Sequence, residues 1–432
     1  MSEKILHPTD ASLQGELLVP GDKSISHRSI IFGSLAKGQT KVTHFLEGED
    51  CLRTIAAFQA MGVDIKQDGQ TVVIEGKGID ALQEPLEPIN LGNSGTTARL
   101  LLGVLSGLPF HFTLYGDESL TKRPMDRVAI PLREMGATID GRENGKYLPL
   151  SLRGGELRSI SFETPVKSAQ VKSGVLLAGL FADGRTTVVE KTTTRDHTEN
   201  MLQAFGGQIS NQSGTIQVEG KQSLIGTQIH VPGDISSAAF FLVAAAIKKG
   251  SKLVLKDVGL NPTRTGIIDV LKQMNVTIEV VEERSIGGEP IGSITVEFSE
   301  PEATIIDGEI IPRIIDEIPI IALLATQAKG KTIIRDAEEL RYKETDRIAS
   351  VVNTLQALGA DIEATADGMI INGGTSLTGA AVDSYGDHRI GMMIAIASLI
   401  INEPVTLKNA ESIAISYPTF FDDLKKILVS KS

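Results

Sequence analysis

The chain has 432 residues, 41% hydrophobic and 22% charged, with a formal net charge of −12. This balance suits a soluble globular protein of two or three domains, and the acidity excludes nucleic acid or an anionic membrane as the main partner. One cysteine, Cys51, excludes an internal disulfide, and no signal or transit segment is read at the N-terminus, so a cytoplasmic protein is expected.

The first predicted helix follows VPGDKSISHR (Val19 to Arg28) and is small and apolar, SIIFGSLAKG, before the strand-like TKVTHF. An amphipathic helix, LRTIAAFQAMGVDI, comes next, and a hairpin, VDIKQDGQTVVIEG, closes the group. TTARLLLGVLSGLPFHFTLYG and DRVAIPLREMGATID repeat that order, as do SAQVKSGVLLAGLFADGRTTVVE and HTENMLQAFGGQI. At Val231 the opening returns as VPGDISSAAF, and the interval from Pro20 to Gly38 recurs from Pro232 to Gly250. Three further pairs follow, beginning at SAAFFLVAAAIKKG, IPIIALLATQAKGKTIIRDA and HRIGMMIAIASLIINEPVTLKNA, the last cut short after FDDLKKIL. The repeating unit reads β-α-β-α-β-β. One helix of each pair is too rich in Ala, Gly and apolar residues to face water. The pattern predicts an α/β fold of two domains, each of three βαβαββ units around three buried helices.

The two VPGD copies share Ser24/Ser236, but only the first carries Lys23, His27 and Arg28. The scaffold therefore does without charge at these positions, and Lys23 and Arg28 read either as surface cations or as an anion site at a helix N-terminus. The other apolar helices also open on polar strings. These are LGNSGTTAR with Gly95 and Arg99, TPVKSAQVKS with Ser168 and Gln170, IDEIP with Asp316 and Glu317, and YGDHR with Asp387, His388 and Arg389. The amphipathic helices add Arg123 in TKRPMDR, Arg195 in TTRDHTE, and Lys343, Glu344 and Arg347 in RYKETDR. Threefold packing gathers helix starts at one end of a domain. An acidic chain that collects cations there is expected to bind a multiply anionic small ligand, with Asp316 and Glu344 suited to acid–base work. Seven histidines with no HxxxH pattern and one cysteine predict no metal site, and His388 reads as structural.

Taken in order, VPGDKSxSHR, GNSGTTxR, KRPMDR, SAQVKS, RDHTE, IDEIP, KETDR and GDHR resemble the 5-enolpyruvylshikimate-3-phosphate synthase family over nearly the whole chain, the SAQ spelling resembling its second, bacterial class. The resemblance implies the enolpyruvyl transferase fold, an inside-out α/β barrel. It implies a C-terminal domain of residues 1–20 with 233–432, an N-terminal domain of 21–232, and an active site in the cleft between them. It implies transfer of the enolpyruvyl group of phosphoenolpyruvate to the 5-hydroxyl of 3-phosphoshikimate through a tetrahedral intermediate, a step of aromatic amino acid biosynthesis and a glyphosate target, by a monomer without cofactor. On that resemblance Lys23, Ser24, Arg28, Ser168, Gln170, Arg195, Asp316 and Lys343 hold 3-phosphoshikimate. Lys23, Gly95, Arg123, Gln170, Arg347 and Arg389 hold phosphoenolpyruvate. Lys23, Asp316 and Glu344 share the acid and base roles, Asp316 taking the 5-hydroxyl proton and Glu344 protonating the methylene carbon.

Two departures stand out. Many family members place a Lys three residues before the Pro of the Tyr-Pro or Phe-Pro near the C-terminus, where this chain has Ile415; Lys408 is a nearby cation. Ala169 stands where the first class has Ser. The sister enzyme acting on UDP-N-acetylglucosamine carries a Cys five residues before its Arg-Pro, where this chain has Glu118. A non-catalytic repeat protein would show aromatic outer faces, against 4% aromatics and no Trp.

Overall fold

The structure is a computed structural model that describes residues 3–430. It contains two compact units: Gly21–Val231 with Ser285–Glu289, and a second built from the chain up to Pro20, Pro232–Arg284 and the chain from Pro290 onward. Ser285–Glu289 thus groups with the first unit, where Glu289 accepts hydrogen bonds from His197 and Asn200.

In the first unit the helices Lys23–Leu35, Gly95–Ser106 and Ala169–Gly179 are almost wholly buried. Their small residues allow close approach. A Cβ on Gly103 would stand 2.2 Å from the carbonyl oxygen of Gly174 on the neighbouring helix, so only glycine fits this backbone-to-backbone contact. Three four-stranded sheets surround these helices, all in one order. Gln228–His230 runs parallel to Lys37–Thr43, which pairs antiparallel with Thr71–Lys77, and that strand with Asp64–Asp68. Ile89–Asn90, His111–Tyr115, Tyr147–Arg153 and Thr138–Gly141 repeat the pattern. Ser161–Glu163, Arg185–Val189, Thr215–Glu219 and Ile209–Gln212 do so again. The amphipathic helices Glu49–Ala60, Asp126–Met135 and His197–Ala204 are each followed by a glycine with positive φ, Gly62, Gly136 and Gly206, where the chain turns into its hairpin.

The second unit repeats this plan around Ile235–Ile247, Ile318–Thr326 and His388–Ala397. Ser12–Leu18 lies parallel to Lys252–Gly259 in a five-stranded sheet, Ile305–Ile306 parallel to Lys331–Ile334, and Ala381–Asp383 parallel to Val405–Lys408. The last sheet has three strands, completed by Glu3–Leu6, in keeping with a shortened final repeat.

The opening strand of each unit is the segment just before a VPGD string: Ser12–Leu18 precedes the first and Gln228–His230 the second. The shared residues of that string are explained by backbone demands. A Cβ on Gly21 would lie 2.0 Å from the carbonyl oxygen of His44, and one on Gly233 would lie 2.8 Å from Val19. Asp22 caps its helix by accepting from Ile25 N–H (2.9 Å), and Asp234 accepts from Ser236 N–H (2.8 Å). Val-Pro-Gly-Asp is therefore scaffold in both copies.

Candidate active site

In the first unit the expected residues lie at the starts of five helices, Lys23–Leu35, Gly95–Ser106, Asp126–Met135, Ala169–Gly179 and His197–Ala204, or just before them. Lys23 begins its helix and pairs with buried Asp50 at 3.1 Å. Arg28, one turn on, is held by hydroxyls: its Nε donates to Thr198 Oγ1 (2.7 Å), its Nη2 to Ser173 Oγ (2.8 Å) and its Nη1 to the Ser24 carbonyl (3.0 Å). Burial draws the Arg28 pKa down to about 10, an effect that the charge of Glu199 opposes. His27 bonds Thr54 (2.8 Å), which bonds Thr97 (2.9 Å), so a polar chain joins three helices. Burial, and then the charges of Lys23 and Arg28, push the imidazole well below its usual range and keep it neutral.

Gln170 accepts from Arg99 Nη1 (2.6 Å) and donates to Thr96 (3.0 Å), which fixes its amide. Arg99 also donates to the carbonyl of Pro124, in the segment that carries Arg123. The Arg123 guanidinium is buried against Gly95, where a Cβ would meet its Cζ and Nη2 at 2.8 Å. Ser168 stands at the N-cap position of the helix Ala169–Gly179 without a side-chain capping bond, and Arg195 is half-buried just before the helix His197–Ala204.

The second unit assembles a different cluster, rich in acids. Arg347 is 1% exposed and four of its five N–H donors are engaged. Its Nε and Nη2 bond Asp387 (2.8 and 3.2 Å), Nη1 bonds Asp316 (3.2 Å) and Nη2 also bonds Glu344 (2.6 Å). Burial alone would weaken this cation, but the charges of Asp387, Glu344 and Asp316 outweigh it and hold Arg347 well above its usual range. Lys343 adds a second cation to Asp316 at 3.1 Å. The arrangement fixes two carboxylates, Asp316 and Glu344, on one guanidinium.

Arg389 differs. It is 4% exposed, and its Nε and Nη1 have no hydrogen-bond partner among the described residues. Its guanidinium carbon lies 5.9 Å from the ring centre of Phe240. Phe240 occupies the place in the second VPGD copy that Arg28 occupies in the first. The uncharged copy is therefore not inert: its ring supports a cation from another repeat.

Sequence reasoning named the cations but missed their neighbours. Asp50 and Glu190 carried no local signal, and Lys172, Thr198, Glu199 and Phe240 appeared only as members of SAQVKS, RDHTE and VPGDISSAAF. Arg264, also unforeseen, bonds Asp234 (3.2 Å) and the Ser236 hydroxyl (2.5 Å) and lies 3.9 Å from fully buried Glu317, so a cation from another segment serves the second copy's helix start. Glu118 is exposed and pairs with Lys122 (2.8 Å), while Ile415 ends a half-buried 3-10 turn, Ala410–Ile415. No helix among the described residues is long and apolar enough to cross a membrane.

Residues 8–424 match the family described as EPSP synthase (3-phosphoshikimate 1-carboxyvinyltransferase). A 3-phosphoshikimate 1-carboxyvinyltransferase of Geobacillus kaustophilus is 60% identical, over 98% of this chain and 99% of that protein. An EPSP synthase structure from Acinetobacter baumannii is 44% identical with a TM-score of 0.88, covering 99% of this chain and 98% of its own. The enolpyruvyl transferase NikO of Streptomyces tendae, 18% identical with a TM-score of 0.79 over 98% of this chain and 96% of its own, shares the fold.

Proposed function

The chain belongs to the EPSP synthase family, and on that premise we propose how its residues carry the transfer of enolpyruvyl from phosphoenolpyruvate to the 5-hydroxyl of 3-phosphoshikimate. Ser24, Arg28, Ser168, Gln170 and Arg195 hold 3-phosphoshikimate, and Lys23 touches both substrates. Gly95, Arg123, Gln170, Arg347 and Arg389 receive phosphoenolpyruvate, whose carboxylate and phosphate suit guanidinium forks. Lys343 binds the 5-hydroxyl and Asp316 takes its proton as the oxygen attacks carbon 2. Glu344 protonates carbon 3, giving the tetrahedral adduct. The same carboxylate then recovers a carbon-3 proton as the carbon–oxygen bond to phosphate breaks and phosphate leaves. The enzyme works as a cytoplasmic monomer without cofactor.

The observation that carries this reading is Arg389. A buried guanidinium with two donor nitrogens unmet is costly unless an anion completes it. Arg347 supports the acid–base assignment, because it joins Asp316 to Glu344. One assay tests the proposal: phosphate release from phosphoenolpyruvate, measured with 3-phosphoshikimate, with UDP-N-acetylglucosamine and with neither. Release only with 3-phosphoshikimate is expected. Release with the nucleotide sugar alone would overturn it.

A further inference from the structure

Lys172 in SAQVKS and Glu199 in RDHTE belong to the motifs, yet the proposed reaction uses neither. In the first unit they meet. The Lys172 ammonium is fully buried and pairs with Glu199 (2.8 Å) and with Glu190 (3.0 Å), both buried. The three residues come from separate segments: Lys172 from the helix Ala169–Gly179, Glu190 from just past the strand Arg185–Val189, and Glu199 from the first turn of the helix His197–Ala204.

The chain between the two glutamates carries Arg195. Thr194, next to it, is tied twice to the same centre. Its hydroxyl donates to Glu190, and its carbonyl lies 3.4 Å from the Lys172 ammonium. The residues that follow Lys172 and precede Glu199 hold Arg28. Ser173 and Thr198 bond each other at 2.7 Å and together accept two of its N–H groups. One buried ammonium thus anchors the loop of one proposed phosphate ligand and the two helices that grip the other.

The charges suit an anchor of this kind. One ammonium between two carboxylates leaves a net negative centre when all are ionised. Burial drives the Glu199 carboxyl up, against the pull of Lys172; burial also weakens the Lys172 ammonium, but the two glutamates outweigh it and hold Lys172 above its ordinary value. Burial lowers the Arg28 pKa and the Glu199 charge opposes that fall, yet neutral hydroxyls and a carbonyl are what touch Arg28. A carboxylate bonded directly to that guanidinium would compete with an incoming phosphate. Of its five N–H donors, only three have partners among the described residues, so two remain for an anion.

We propose that Lys172, Glu190 and Glu199 are positioning residues that hold Arg28 and Arg195 ready for the phosphate of 3-phosphoshikimate. The proposal rests on the assignment of Arg28 and Arg195 to that substrate. Removing Lys172 alone would bury unpaired carboxylates, so the test uses a neutral set, Lys172→Met with Glu190→Gln and Glu199→Gln, and separately Thr194→Val, which removes the hydroxyl half of the loop's tether and leaves both ion pairs. Calorimetry should show 3-phosphoshikimate binding about tenfold weaker in each, the size expected for one charge-assisted hydrogen bond lost or misaligned. In turnover, KM for 3-phosphoshikimate should rise by a similar factor while kcat at saturation changes less than threefold, and Lys172→Arg should retain most of the parent's affinity. Parent-like affinity in Thr194→Val and in the folded neutral set overturns the proposal; if the neutral set does not fold, Thr194→Val decides alone. A parent protein that needs no 3-phosphoshikimate to release phosphate would instead overturn the reaction assignment.

Discussion

Gly95→Ala puts one methyl group where the Arg123 guanidinium now lies. The added carbon would stand 2.8 Å from Cζ, 2.8 Å from Nη2 and 2.9 Å from Nη1. Ordinary contact begins near 3.5 Å, so the guanidinium must withdraw by roughly 0.7 Å. It is the far end of a flexible side chain, and Gly95 is the first residue of a helix, where alanine is the better helix former by up to about 1 kcal/mol. The fold should therefore tolerate the change, with an unfolding temperature within a few degrees of the parent. The anion site should not. Losing one charge-assisted hydrogen bond costs about 1.5–3 kcal/mol, or roughly 10- to 100-fold in affinity. Steady-state phosphate release, with phosphoenolpyruvate varied at saturating 3-phosphoshikimate, should show KM for phosphoenolpyruvate raised by that factor. The KM for 3-phosphoshikimate should stay within about threefold of the parent, since Arg28 is untouched. A parent-like KM for phosphoenolpyruvate, or an effect confined to 3-phosphoshikimate, would refute the placement of Arg123.

Arg28→Ala should lower kcat/KM at least about a hundredfold. Stability should change little, because Ser173 and Thr198 keep their mutual bond (2.7 Å); differential scanning calorimetry checks this, and an unfolded variant would contradict it. In Glu344→Ala, solvent deuterium should enter the methylene group of phosphoenolpyruvate far more slowly than in the parent, as read by mass spectrometry; equal exchange rates would remove Glu344 from the proton-donor role. His27 gives a pH signature. Its folded pKa lies well below 6.5, so below that pH the unfolded chain binds more protons and the fold loses stability as pH falls, by at most about 1.4 kcal/mol per unit. Urea midpoints between pH 6.5 and 5 should fall more steeply for the parent than for His27→Gln, and parallel lines would show that His27 is not buried neutral.

The sequence contains its own control, which is why so much of the architecture could be read from it. Two copies of one opening, charged once, separate what the backbone requires from what it does not: Gly21 and Asp22 have counterparts in Gly233 and Asp234 with the same close approaches and caps. Helix ends were legible because a turn with positive φ selects glycine or, at Asn275 (φ 63), asparagine. The sign of the cation clusters was legible too. Their partners were not. Asp50 lies 27 residues from Lys23, and Thr198 lies 170 from Arg28, and no periodicity encodes such distances. Phe240 shows the limit most clearly. As a letter it only removes a charge, whereas in the fold its ring supports Arg389. Arg347 shows it from the other side, since the string KETDR does not reveal that Asp387 will take two of its five N–H donors.

The strand Ser12–Leu18 is synthesised well before its parallel neighbour Lys252–Gly259 and the hydroxyl that accepts from the Leu13 N–H, Ser251 at 2.9 Å, which lie 238 residues downstream. At about 5–20 residues per second the ribosome needs tens of seconds to make that partner. Bringing the two together then carries a loop-closure cost of about 5 kcal/mol, unless the intervening unit has already folded and shortened the effective loop. Residues 21–231, by contrast, contain every strand of their own three sheets and can close as soon as Gln228–His230 has emerged. Vectorial synthesis therefore favours an order in which residues 21–231 fold before Ser12–Leu18 joins its sheet. Throughout that interval a seven-residue strand with both edges unpaired waits on the nascent chain. The burden on chaperones falls on this strand, which carries none of the residues proposed for the chemistry.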